Sequence, residues 1–313
     1  MSLRSVIGQD KAVRILIGTL STERVPTSIL LSGDSGIGKR LTALNYAKAL
    51  NCLSPIESDA CDNCLSCRKI DGAMHPDVVT LLPENNEIKI EAIRRVEEIL
   101  SLRPYEGKRK VLITDDADSM NISAANAFLK TLEEPPENTV ILLVSSNPDR
   151  LPDTIRSRCM HVLFRPLSGD AFSQVLALKS DGKSPGPFAA LAMGRPGISI
   201  TRDFAKEKKW FMDILENMSN GDTRCAWNDK NDIRLWLDLS LVMLRDMAVH
   251  SVTGNDSALL CEGKRPGVDL LQVLDTAVKL QRLLSLVELN LNKSITWNYV
   301  SGIIQKTLKP ASS

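Results

Sequence analysis

Gly33-Asp34-Ser35-Gly36-Ile37-Gly38-Lys39-Arg40 follows the apolar run Ile29-Leu30-Leu31 and leads into Leu41 to Leu50, a stretch of helical character. A glycine-rich turn between a buried strand and a helix lets backbone N–H groups wrap a phosphate at the helix N-terminus. In that pattern Lys39 reaches the β- and γ-phosphates. The next residue should be Ser or Thr, whose hydroxyl holds Mg²⁺. Here it is Arg40, which is positively charged and has no acceptor. The stretch therefore reads as built for nucleotide, ATP or ADP, and poorly built for Mg²⁺ and hydrolysis.

Working outward, residues 4 to 20 carry apolar positions near a 3.6 period and predict a helix. Strands are expected at Asp77 to Leu82, Lys110 to Thr114, Val140 to Val144 and Met160 to Phe164. Helices are expected at Ile88 to Leu102, at Ile122 to Glu134 before Pro135-Pro136, and at Leu151 to Arg156. Alternating strands and helices argue for a parallel α/β sheet over residues 1–165. Residues 166–202 read as small helices interrupted by Ser184-Pro185-Gly186-Pro187 and Arg195-Pro196-Gly197, and residues 203–313 show only helical periodicity. The expected order is an α/β domain, a small helical domain and an all-α domain.

Composition narrows the function classes. The 313 residues carry a net charge of +1, so no overall field draws the chain onto nucleic acid. No run of about 18 apolar residues suggests a membrane span, and the N-terminus lacks an apolar signal core. Seven cysteines, four of them clustered, fit metal binding in a reducing compartment better than a disulfide framework. A cytoplasmic protein is expected.

Three further groups can carry chemistry. Val111-Leu112-Ile113-Thr114-Asp115-Asp116 has the shape of a strand ending in two acids, one for a metal and one for the attacking water. Asp116 is one methylene shorter than the expected Glu, and a misplacement of about 1 Å can lower a rate roughly a hundredfold. The plainer alternative is a pair of acids that opens a turn. Cys52, Cys61, Cys64 and Cys67 are spaced Cys-x8-Cys-x2-Cys-x2-Cys, suited to one tetrahedral Zn²⁺ with no open position. Unligated thiols and an iron–sulfur cluster are the alternatives. His75 is superfluous to four cysteines and reads as a local contact, and Cys159, Cys225 and Cys261 as buried or incidental thiols. In Arg156-Ser157-Arg158, an Arg at a helix end suits a phosphate on a neighbouring molecule, whereas alone it is a solvated face.

In order along the chain, Ile7-Gly8-Gln9-Asp10, the phosphate loop, the Cys cluster, His75-Pro76-Asp77, Ala124 through Pro136 and Ser157-Arg158-Cys159 resemble the bacterial clamp-loader branch of the AAA+ ATPases, most of all its delta-prime type. The resemblance is strong over residues 5–165 and weaker beyond, where Leu289-Asn290-Leu291-Asn292 is similar to a polar step of the collar domain. It implies an AAA+ domain, a helical lid and a helical collar that assembles a pentamer. It also implies zinc on Cys52, Cys61, Cys64 and Cys67, and Arg158 as an arginine finger completing the ATP site of an adjacent gamma or tau subunit. Ile7 would lie by the adenine. Gly33, Gly36, Gly38, Lys39, Arg40, Asp115 and Asp116 would form the chain's own nucleotide site, with a polar sensor at Ser145 or Ser146. The delta subunit, the sliding clamp and primed DNA are the implied partners, in the cytoplasmic replisome.

Hydrolysing relatives carry Ser or Thr at the place of Arg40, Glu at that of Asp116 and a lid arginine roughly where Gly197 stands. These three departures point to a stator that does not hydrolyse ATP itself. An active gamma-type ATPase and a nucleotide switch outside replication are the competing readings.

Overall fold

A computed structural model describes residues 1–22, 25–179, 192–220, 224–254, 260, 269–287 and 291–308. It divides into two compact units, the first comprising residues 1–185 and 193–200, the second 186–192 and 201–313.

The first unit is built on five strands: β1 (Ser28–Ser32), β2 (Val78–Leu81), β3 (Lys110–Thr114), β4 (Thr139–Ser145) and β5 (Met160–Leu163). They lie in the order β2-β3-β4-β1-β5, and every pairing is parallel. β1, β3 and β4 are buried along their whole length, which is why they read as unbroken apolar runs rather than alternating ones. Helix α1 (Asp10–Ser21) precedes β1, and α2 (Lys39–Asn51), α3 (Leu65–Asp71), α4 (Ile90–Leu100), α5 (Ile122–Glu133) and α6 (Asp153–Arg156) link the strands. Ile93, Val96 and Leu100 on α4 and Ala124, Phe128 and Leu132 on α5 join Leu30, Leu112, Ile141 and Leu143 of the sheet in one core. Because adjacent strands run the same way, the chain leaves β1, β3 and β4 at one edge of the sheet. Ligands of such sheets bind there.

The helix expected over residues 4–20 is interrupted. Leu3–Ser5 forms a 3₁₀ turn, and the α-helix begins only at Asp10. Gly8 between them takes φ +76°, and a Cβ there would lie 2.9 Å from Leu167 Cγ and 3.0 Å from Ala171 Cβ. Periodicity cannot register such a backbone approach. Asn121 caps α5 by accepting from the Ala124 N–H at 2.8 Å, and α5 stops one residue before Glu134 at the two prolines. Helix α6 starts at Asp153, two residues later than expected, because Pro152 fixes its entry.

Helices α7 (Gly169–Lys179) and α8 (Pro196–Thr201) follow the sheet. Their described residues up to Ile200 fall in the first compact unit, joined to it by the Leu167 N–H donating to the Gly194 carbonyl at 2.8 Å. Ser184-Pro185-Gly186-Pro187 lies outside the described residues. The second unit consists of α9 (Phe204–Ser219), α10 (Lys230–Thr253), α11 (Leu270–Leu286) and α12 (Lys293–Leu308). Its centre holds Trp227, Trp236 and Trp297 edge to face, with centroids 5.0 to 5.9 Å apart, and Phe211 at 5.7 Å from Trp236. No strand follows Leu163 among the described residues.

Candidate nucleotide site, arginine and metal cluster

The loop between β1 and α2 has three glycines in the left-handed region: Gly33 at φ +140°, Gly36 at +79° and Gly38 at +98°. Lys39, the first residue of α2, is 5% exposed. Its ammonium donates to the Gly33 carbonyl at 2.5 Å, the Asp34 carbonyl at 2.6 Å and Ser146 Oγ at 3.2 Å. Burial lowers its pKa, against the opposing pull of Asp116, Asp118, Asp115 and Asp34. The polar residue beyond β4 that meets Lys39 is thus Ser146. Ser145, wholly buried, instead accepts from the Asn147 N–H at 3.1 Å. Neighbouring residues along extended chain point to opposite faces.

Asp115 and Asp116 leave β3 beside this loop. Arg40 Nη1 stands 3.4 Å from Asp115 Oδ2. Asp116 has the left-handed backbone φ 45°, ψ 49°. Its carboxyl is pushed up, first by partial burial and then by the charges of Asp115 and Asp118. Asp118, which the sequence pattern passed over, accepts from the Ser146 N–H at 3.1 Å and so ties the end of β3 to the end of β4.

The loop is covered on one side by α8. The Gly197 N–H donates to the Gly36 carbonyl at 2.8 Å. A Cβ on Gly197 would lie 2.9 Å from Gly36 Cα, and one on Gly36 would lie 2.9 Å from both the N and Cγ1 of Ile198. No side chain fits at Gly197 while this contact holds. From the other side the Gln9 amide donates to the Ile37 carbonyl at 3.3 Å and the Arg165 carbonyl at 2.7 Å, and its oxygen accepts from the Arg165 N–H. Gln9 is buried and touches the loop directly, whereas Ile7 is half-buried two residues earlier.

Arg158 stands apart from this cluster, just beyond α6. Its Nη2 lies 2.5 Å from Glu133 Oε1, and its Nη1 donates to the Thr154 carbonyl at 2.8 Å, with the side chain 36% exposed. Arg156, two residues earlier, is instead held by Asp149 of the preceding turn and Asp153 of its own helix. The end of α5 and the Ser157-Arg158-Cys159 turn are therefore one constellation. Cys159 beneath it is buried, which raises its thiol to about 11. Cys225 is exposed, and Cys261 lies outside the described residues, as do Leu289 and Asn290 of the polar step.

Cys52, Cys61, Cys64 and Cys67 bring four sulfurs within 4.8 Å of one another. The Cys52–Cys64 and Cys52–Cys67 separations are 3.9 and 3.8 Å. A tetrahedron with Zn–S bonds of about 2.3 Å has edges of about 3.8 Å, so the cluster has the dimensions of a four-thiolate site. The Cys61, Cys64 and Cys67 N–H groups donate to the sulfurs of Cys52, Cys61 and Cys64, which favours the thiolate at Cys61 and Cys64, whereas burial raises the Cys52 and Cys67 thiols. Burial works against this at Cys64, but the Cys67 and Leu53 N–H groups outweigh it and bring the thiol down to about 6. The insertion is fastened by Asp59, which accepts from the N–H groups of Leu3, Arg4 and Ala60. It is also held by the buried Lys48 ammonium, 2.5 Å from Asp62 and 2.9 Å from Asp71.

His75-Pro76-Asp77 carries no exposed chemistry. Asp77, 1% exposed, accepts from the N–H groups of Tyr105, Glu106 and Gly107 at 2.7 to 2.8 Å and fixes the loop into β3. His75 Nδ1 accepts from the Asp77 N–H.

A glycine-rich loop after the first strand of a parallel sheet ordered β2-β3-β4-β1-β5, with acids at the end of β3 and a polar residue beyond β4, defines a P-loop protein of the AAA+ kind. The family model described as DNA polymerase III, delta subunit, matches residues 8–168, just over half of the 313 residues. The chain belongs to that family, in the clamp-loader branch of the AAA+ proteins.

It is 42% identical over 146 residues to DNA polymerase III subunit delta' of Pseudomonas aeruginosa, covering 46% of this chain and 44% of that one. It is 34% identical over 168 residues to subunit delta' of Bacillus subtilis, covering 54% and 51%. It is also 35% identical over 173 residues to subunit gamma of Buchnera aphidicola, covering 55% and 48%. The chain spans about half the length of the curated relatives it matches.

Proposed function

We propose that this chain is a clamp-loader subunit of DNA replication that acts as a stator. It keeps its own nucleotide loop silent and offers Arg158 to the ATP site of an adjacent gamma or tau subunit. With a delta subunit, the assembly places a sliding clamp on primed DNA. The observation that carries this reading is the closure of the loop by α8, backbone against backbone at Gly36 and Gly197. The Arg40–Asp115 pair adds support, since it occupies the carboxylate that would serve a metal. So does the position of Arg158, on an exposed turn away from this chain's own loop.

In this reading residues 1–165 form the ATPase-like domain, 166–202 the lid and 203–313 the collar through which subunits assemble in the cytoplasm. The four cysteines hold one structural Zn²⁺, which has no open position and so supplies rigidity rather than catalysis. ATP or ADP reaches Gly33, Gly36, Gly38 and Lys39 only when α8 lifts.

ATP hydrolysis by the isolated chain tests the proposal. No turnover above background, and no change on Lys39→Ala, is expected. Robust turnover abolished by Lys39→Ala would overturn it in favour of an active gamma-type ATPase.

A further inference from the structure

We infer that the guanidinium of Arg40 is a built-in substitute for the divalent cation of this P-loop, so that the site formed by Lys39, Asp115, Asp116 and Asp118 takes no Mg²⁺. The inference deepens the reading of a silent site, but does not depend on Arg158 acting in trans.

A P-loop metal is held by a hydroxyl after the loop lysine and a carboxylate at the end of the adjacent strand. Both positions are present here, at Arg40 and Asp115. Their side chains meet each other, Nη1 to Oδ2 at 3.4 Å. Guanidinium has five N–H donors, no lone pair and a charge that persists at any physiological pH. It can neutralise Asp115 but cannot ligate a metal.

The acids around this point face two cations that the chain itself supplies, Arg40 and Lys39. Asp116 and Asp118 stand beside Asp115, and Lys39 faces all three acids from the loop. With Asp34, which also faces Lys39, two cations stand among four carboxylates. Asp118 is further engaged by the Ser146 N–H, and Asp115 Oδ1 by the Asp116 N–H at 3.2 Å. A divalent ion would have to displace Arg40 and settle near the Lys39 ammonium, against like charge and without the missing hydroxyl. The residues present do not fit Mg²⁺. Arg40 is half exposed, so changing it removes a charge at the surface rather than a piece of core.

The test is Mn²⁺ binding, read by electron paramagnetic resonance on the full zinc-loaded chain without nucleotide. Wild type is expected to show no saturable Mn²⁺ site. Arg40→Thr restores the hydroxyl and removes the cation, and should gain one saturable Mn²⁺ site. Adding Asp115→Asn to Arg40→Thr should abolish that site. Arg40→Lys keeps the charge without the guanidinium shape and should remain metal-free. Circular dichroism reports whether each variant is folded. Saturable Mn²⁺ binding by wild type that Asp115→Asn removes would overturn the inference, as would a folded Arg40→Thr that gains no site. A null result for Arg158→Ala in a loader would sink the trans role and leave this inference standing.

Discussion

The Gly197 N–H and the Gly36 carbonyl meet at 2.8 Å, with no room for a Cβ on either residue. The first turn of α8 is thus a backbone contact with the phosphate loop that leaves room only for glycine at position 197. Gly197→Ala places a Cβ 2.9 Å from Gly36 Cα. It should lower stability by about 1–3 kcal/mol, as overpacking does, and speed amide exchange over residues 33–38. An unchanged melting temperature together with unchanged exchange would contradict the closed loop.

Glu133 and Arg158, 2.5 Å apart and both partly exposed, should matter little to folding. Exposed pairs contribute about 0–1 kcal/mol, so Glu133→Gln should leave urea unfolding nearly unchanged. In a reconstituted loader the same variant should lower ATP turnover by less than Arg158→Ala does, because it frees the arginine without removing it. Equal losses would assign Glu133 a role beyond holding Arg158.

Much of the site was legible because local chemistry announces it. The apolar run before Gly33 could only be a buried strand, the Lys110–Thr114 strand has the predicted bounds, and the cysteine spacing anticipates four convergent sulfurs. What escaped depends on contacts between distant positions. Nothing near Arg40 reveals that it meets Asp115, and nothing near Gly197 reveals Gly36. Gln9, Asp118 and Glu133 were visible as residues, but their partners are set by the sheet order. The choice between Ser145 and Ser146 turned on which face of the extended chain each occupies, which a one-residue boundary uncertainty hides.

Metal analysis should find one zinc per chain purified without chelator. Stripping it, or Cys64→Ser, should expose the segment between Cys52 and Cys67 to protease while the sheet persists. Asp62 would be lost to the buried Lys48 ammonium, which keeps Asp71, so a destabilisation of about 1.5–3 kcal/mol is expected, as for one hydrogen bond to a charged group. A fully protected, zinc-free insertion would refute a structural metal.

Acid should destabilise the first unit in two stages. Burial lowers the pKa of His75, so the native state binds its proton less readily than the unfolded chain. The stability this confers is present above about pH 6.5 and fades as pH falls below it. For Asp77, burial opposes ionisation, but the Tyr105, Glu106 and Gly107 N–H groups outweigh it and lower the pKa. Its contribution is present above about pH 4 and fades as pH falls through the depressed value. Asp77→Ala should cost about 2–3 kcal/mol at neutral pH and progressively less below pH 4, measured by urea unfolding across pH. A loss independent of pH would contradict the assignment.

In the proposed complex, the working arginine of this chain, Arg158, serves a neighbour's ATP. The direct measurement is steady-state ATP turnover by a loader reconstituted with a gamma-type subunit and either wild type, Arg158→Ala or Lys39→Ala. Arg158→Ala should leave assembly intact and slow the hydrolysis that depends on its site by about 10³-fold, while Lys39→Ala changes nothing. Undiminished turnover with Arg158→Ala, or a loss with Lys39→Ala in an assembled complex, would contradict the account.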